Sequence, residues 1–165
     1  MFGHGPTFGP GGDRLLFDEV VRVPLLVKPA QGDFARGIVV DAQVQNFDLM
    51  PTLLELAGCQ QLPEQTLDGQ SLVPLIRGAK QSLSRPFLAW WYPHSNGHGT
   101  HPSQAILKDG WKLIHFMEEN ETELYNLVRD EGERNNLAKV EPERTRELLA
   151  TLNEWVEETR VRKSN

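Results

Sequence analysis

The sequence predicts an α+β fold in which a loop, a strand, a helix and a connector precede a small four-stranded antiparallel sheet packed on a C-terminal helix. Three observations carry this. From Pro86 onward the chain falls into four short runs, PFLAWW, SQAIL, WKLIHF and TELYNL, rich in aromatic and β-branched residues. Turn pairs such as Asn96-Gly97, Asp109-Gly110 and Glu119-Asn120 separate them, and such short connections favour an antiparallel meander. Residues 141–160 then place Leu148, Leu149, Leu152, Trp155 and Val156 on one helical face opposite a charged one, a helix suited to cover one side of the sheet. The change of pattern divides the chain into segments 1–80 and 81–165.

Taken in order, residues 1–13 are dominated by Gly and Pro and form loop, because neither residue propagates a helix or a central strand. Val20–Val27, VVRVPLLV, is a continuous apolar run of strand length, the pattern of a strand buried on both faces of a parallel sheet. Pro24 removes one ladder donor and implies an entry kink or an edge position. Lys28-Pro29-Ala30-Gln31-Gly32 ends the run. Residues 46–58 predict a helix with Phe47, Met50, Leu53, Leu54 and Ala57 on its apolar face. Pro51 fits only a first turn, so Asn46 or Asp48 is the expected N-cap, and Gly58 follows the helix end. Residues 67–78 read as a turn followed by a short apolar helix or extended piece.

At 165 residues the chain is long enough to build a real core, since a domain of this size buries roughly 70% of its unfolded surface. A net charge of -6 and scattered basic residues argue against a nucleic-acid partner, which requires clustered Lys and Arg. The single cysteine, Cys59, excludes an internal disulfide framework and a cysteine-rich zinc site. No apolar run approaches the roughly 20 residues needed to span a bilayer, so no membrane partner is expected. The N-terminus has no basic segment followed by an apolar one, hence no visible export signal.

Five motifs in order carry a resemblance: LLFDEVVRVPLLVKPAQG (residues 15–32), QNFDLMPTLLELAG (45–58), LDGQSLVPLIRG (67–78), AILKDGWKLIHF (105–116) and ELYNLVRDEGERNNLA (123–138). Together they resemble the C-terminal portion of the sulfatase (arylsulfatase-like) family. The resemblance implies the C-terminal end of an alkaline-phosphatase-like α/β domain followed by a small antiparallel subdomain. It also implies sulfate-ester hydrolysis by a formylglycine made from Cys or Ser in a C/S-x-P-S-R motif, with calcium held by Asp and Asn side chains. Cys59 is followed by Gln60-Gln61-Leu62-Pro63 rather than Pro-Ser-Arg, so the sequence holds no such nucleophile and Cys59 reads as a small loop or core residue. No catalytic residue and no metal ligand is assigned to the chain. Met1-Phe2-Gly3-His4-Gly5 is similar to the continuation of a metal-binding loop that would precede it. The expected partners are therefore a missing N-terminal catalytic part of the same protein and a sulfated carbohydrate substrate. By resemblance, a full-length relative is periplasmic or secreted.

The resemblance suggests four substrate-binding candidates: His4, Arg14, His94 and His98. Family members carry a sulfate-binding lysine near position 13; Asp13 cannot replace it, whereas Arg14 can offer a bidentate guanidinium, or is simply a surface loop residue. The loop WWYPHSNGHGTHPSQ (90–104) resembles one that reaches toward the substrate pocket. There His94 and His98 would meet a leaving-group sugar or aryl ring, with Trp91 or Tyr92 available for stacking; the alternative is a solvated surface hairpin. His94, His98 and His101 lie in a loop rather than on a helix that would fix an i, i+4 pair, and have no acidic residue close in sequence, which disfavours a transition-metal site. Asp18 and Glu19 point to opposite faces of a strand and read as structural. Arg22 is expected in a fixed ion pair or on backbone carbonyls near the large sheet, and Glu143 to Arg162 as a solvated face with i, i+4 pairs. Two other readings stay open: a stand-alone non-catalytic module binding carbohydrate or a partner, and part of a related phosphonate or phosphodiester hydrolase. An apolar patch left exposed around Val20–Val27 would separate a portion of a larger protein from a module evolved to stand alone.

Overall fold

The computed structural model describes residues 16–28, 34, 36–94 and 101–163, and of residues 161–163 the backbone alone. The chain forms two compact units. One joins the residues up to Pro24 to Pro86–Asn165, and the other is Leu25–Arg85.

The first unit is built on a four-stranded antiparallel sheet of strands β1 (Leu88–Tyr92), β2 (Ser103–Lys108), β3 (Trp111–Phe116) and β4 (Glu121–Asn126), ordered β1-β2-β3-β4. The β2–β3 hairpin turns on Asp109-Gly110, both with positive φ (51° and 76°), the backbone of a type I′ turn whose twist matches that of the strands. Gly110 suits that conformation, and a Cβ there would also crowd the exposed Val128 side chain at 2.7 Å. That turn fixes the register from Lys108 opposite Trp111 to Ser103 opposite Phe116.

Alternation along the strands sends two apolar sets to opposite faces. On one face Ile106, Leu113 and Leu124 pack against Leu148, Leu152 and Val156 of the C-terminal helix α4 (Pro142–Lys163). The helix matches the spacing in the sequence. Its charged side is not wholly solvated, since Arg144 and Arg160 lie over Trp111 and Trp91, 4.5 and 5.1 Å from the ring centroids. The surface ion pair Arg160–Glu157 is i, i+3 rather than i, i+4. On the other face Ala105, Ile114, Phe116 and Tyr125 are covered by Leu16 and Phe17. Phe17 meets Tyr125 edge to face at 6.0 Å.

The strand expected over Val20–Val27 does not form. Asp18–Val21 makes one helical turn, α1, and residues 22–28 run without strand pairing. Val23 and Leu26 are 76% and 87% exposed. A strand buried on both faces has no intrinsic periodicity to hold it; it needs neighbouring strands for its N–H and C=O groups and layers for its side chains. Among the described residues this run meets neither.

In the second unit a 3₁₀ turn, Asn46–Asp48, leads into α2 (Leu49–Leu56). The helix ends as the sequence predicts, with Cys59 N–H donating to Leu54 O and Gly58 N–H to Glu55 O, a Schellman closure. Cys59 is exposed in the loop beyond. The 67–78 connector resolves to a single helical turn, α3 (Val73–Ile76), whose Val73 and Leu75 are buried with Leu72. The apolar face of α2 is turned outward: Phe47, Met50 and Leu53 are 41%, 51% and 62% exposed.

Candidate functional site

Three clusters of polar side chains stand out, and two of them are structural. The signature ELYNLVRDEGERNNLA builds the first. Glu123–Asn126 continues β4; Asp130 then accepts hydrogen bonds from the N–H groups of Arg134 and Asn135, and this closed turn drives Glu133 inward with φ of 50°. Glu133 is buried beside Lys112, also fully buried, whose Nζ lies 2.9 Å from Glu133 Oε1 and donates to Asp18 Oδ1 at 2.6 Å. The other Glu133 oxygen accepts the Asp18 N–H at 2.6 Å. Burial raises the Glu133 pKa, and the Lys112 ammonium opposes that rise. One lysine and two carboxylates thus pin the start of α1 onto the sheet, which is the structural role expected of Asp18. Farther along, Asn136 Oδ1 accepts the Leu124 N–H while Leu137 N–H donates to Leu124 O, so the end of the signature occupies the free edge of β4. Arg22 makes its ion pair with Glu131 at 2.6 Å, on the surface.

The second cluster lies within Leu25–Arg85. Asp48 is fully buried; its carboxylate accepts the backbone N–H groups of Gln45 and Gln70 and a guanidinium N–H of Arg85 at 2.6 Å. Thr52 donates to Asp48 O and accepts from the Leu72 N–H. The buried side of α2 is therefore its polar side, and Asp48 and Thr52 of DLMPT hold the DGQSL connector in place. Gly69 permits this, since a Cβ there would sit 2.2 Å from Phe47 O.

The third cluster is at one end of the sheet, where β1 finishes, β2 starts and the β3–β4 turn closes. His94 is exposed just past β1, its ring edge to face with Tyr92 at 6.2 Å and 87°. Trp91 points to the opposite face, into the α4 cluster beneath Arg160, so Tyr92 is the aromatic ring paired with a histidine here. His101 pairs through Nδ1 with Glu119. Donor atoms of His101, Glu118 and Glu119 all lie within 4.8 Å of one another. The absence of a sequence-adjacent acid is thus overcome in space: Met117 N–H donates to Pro102 O at 2.9 Å, extending the β2–β3 ladder and bringing the two turns together. The register offered a signal, because continuing it two residues past Ser103–Phe116 sets His101 opposite Glu118. His4, Arg14 and His98 lie outside the described residues, so of the four substrate-binding candidates the structure places His94.

Two carboxylates and an imidazole do not fit the calcium ion that the resemblance implies, which takes six to eight oxygen ligands. What the described residues assemble is a rigid sheet with an aromatic and histidine rim, together with an outward apolar helix face.

The N-sulphoglucosamine sulphohydrolase, C-terminal family matches residues 8–162. A Delta 4,5-hexuronate-2-O-sulfatase of Bacteroides thetaiotaomicron is 34% identical over 124 residues, covering 74% of this chain and 25% of its own length. Among solved structures, a 2-O GAG sulfatase superposes with a TM-score of 0.59 at 34% identity, covering 68% of this chain and 24% of that one. The phosphonate monoester hydrolase of Silicibacter pomeroyi gives a TM-score of 0.53 at 27% identity, covering 78% and 27%. The fold is that of the C-terminal portion of an alkaline-phosphatase-like hydrolase. The chain belongs to the N-sulphoglucosamine sulphohydrolase C-terminal family of sulfatases, and spans about a quarter of the length of the relatives it matches.

Proposed function

We propose that this chain is the C-terminal portion of a sulfatase whose whole form hydrolyses sulfate esters on carbohydrate, and that by itself it is inactive. The observation that carries the reading is the outward apolar face of α2 together with further exposed apolar residues of Leu25–Arg85. Met50, Leu53, Leu26 and Val39 are exposed by 51%, 62%, 87% and 88%, an arrangement that costs hydration unless another layer covers it. A module evolved to stand alone would carry charge or a covering segment there. The catalytic part of the same protein is the covering layer proposed, and the rim with Tyr92 and His94 is the surface proposed to meet the sugar. A carbohydrate substrate is supported by relatives named for hexuronate and GAG sulfate esters. Calcium would be held by that catalytic part, and export to the periplasm or beyond is the expected location. Among the described residues no helix is long and apolar enough to cross a membrane.

The test is an assay of the purified chain on an aryl sulfate, a 2-O-sulfated unsaturated disaccharide and an aryl phosphonate monoester, each with calcium. No turnover is expected on any of them. Turnover of either sulfate ester by this chain alone would overturn the assignment of the chemistry to another portion. The phosphonate arm is included because the hydrolase of Silicibacter pomeroyi shares this architecture.

A further inference from the structure

We propose that His101, Glu118 and Glu119 form a surface zinc site that staples the β1–β2 loop to the β3–β4 turn. The three residues offer one imidazole nitrogen and two carboxylate oxygens within 4.8 Å of one another. That donor set is borderline in softness and suits zinc, which takes His nitrogen and carboxylate oxygen in four-coordinate geometry with water completing the shell. On a tetrahedral zinc, ligand atoms lie about 3.4 Å apart given bonds of about 2.1 Å. Closing the site therefore draws the most distant groups inward by about an ångström and parts the direct His101–Glu119 contact to admit the ion, movements the exposed carboxylates of Glu118 and Glu119 can make.

Two further features point the same way. The backbone is already organised: the Met117 N–H to Pro102 O bond ties the two loops, and Asn120, with φ of 52°, sets the tight return into β4. The charge is also unbalanced, since His101 pairs with Glu119 while Glu118 has no hydrogen-bond or ion-pair partner among the described residues. Two carboxylates this close repel, and a divalent cation between them reverses the sign of that interaction.

The experiment is equilibrium dialysis of the full chain against zinc chloride, with cobalt(II) absorption as a probe of coordination geometry and calcium as competitor. One equivalent of zinc is expected, cobalt showing the intense visible bands of a four-coordinate site, and a tenfold excess of calcium failing to displace either. His101→Ala and the double variant Glu118→Gln/Glu119→Gln should each weaken uptake by more than about tenfold. Because the three side chains lie at the surface, both variants should keep the circular dichroism and melting behaviour of the metal-free parent. No zinc uptake, uptake unchanged in either folded variant, or displacement by calcium would each overturn the site. None of these results depends on sulfatase activity, so failure here and failure of the functional reading are separable.

Discussion

The two units of this chain solve the problem of burial in opposite ways. In the sheet unit both faces are covered, one by α4 and the other by Leu16 and Phe17, and none of the large apolar side chains of its strands is exposed. In Leu25–Arg85 the well-buried side of α2 carries Asp48 and Thr52, while Phe47, Met50 and Leu53 face outward. The first unit carries its own core. The second is held by a polar network and presents the kind of surface that other parts of a protein cover. The bare hydrophobic face of α2 is the side on which the proposed covering layer would sit.

The largest effect that would break this contrast comes from Lys112. Replacing it with Ala leaves the Asp18 and Glu133 carboxylates without their buried cation, and removal of one member of such a group costs about 3–5 kcal/mol. Urea denaturation followed by tryptophan fluorescence should show a fall of that size. Next, Leu113→Ala removes a fully buried side chain between sheet and α4 and should cost about 2–5 kcal/mol. The same change at Leu53, which is 62% exposed, should stay within about 0.5 kcal/mol; equal losses at the two leucines would erase the distinction between the units. Asp48→Asn keeps the shape but weakens the bond to Arg85 and two backbone bonds. It should cost the second unit about 1–3 kcal/mol, read as faster amide exchange at Gln70 and Leu72.

The smallest effect is a pH dependence from His115, whose Nδ1 lies 2.9 Å from Thr122 Oγ1 in the cross-strand pair His115–Thr122. Burial lowers its pKa below the ordinary 6.5. The folded state then resists protonation, so below pH 6.5 the unfolded chain binds more protons. Stability from this group is complete above that pH and declines as pH falls from there toward the lowered folded value. His115→Gln should flatten this part of a pH series of unfolding midpoints.

The sheet unit was legible because its signals are local. Asp109-Gly110 dictates a hairpin whichever structure surrounds it, and Leu148, Leu152 and Val156 repeat with helical spacing. The C-terminal end of α2 was legible through Gly58 for the same reason, whereas Asp48, at the N-cap position, makes no side-chain cap to the helix. Val20–Val27 was not, because a strand of that composition needs neighbouring strands and covering layers, and the run meets neither among the described residues. Nor was the Lys112, Asp18 and Glu133 group, since a buried charge in sequence looks like a surface one; only the inward turn made by Asp130 distinguishes Glu133. The approach of His101 to Glu118 and Glu119 lay between these cases, recoverable from the hairpin register though hidden from sequence neighbourhood. Of the four substrate-binding candidates, His94 is placed at the rim; the other three fall outside the described residues.

Native-state hydrogen exchange on the purified chain tests the contrast most directly, by comparing the amides of Leu113 and Ile114 in β3 with those of Leu53–Leu56 in α2. If Leu25–Arg85 depends on a covering layer, the β3 amides exchange only through global unfolding and the α2 amides exchange far faster through local opening. Equal protection of α2 and β3 would contradict that account and show that the second unit, despite its bare apolar face, is stable by itself.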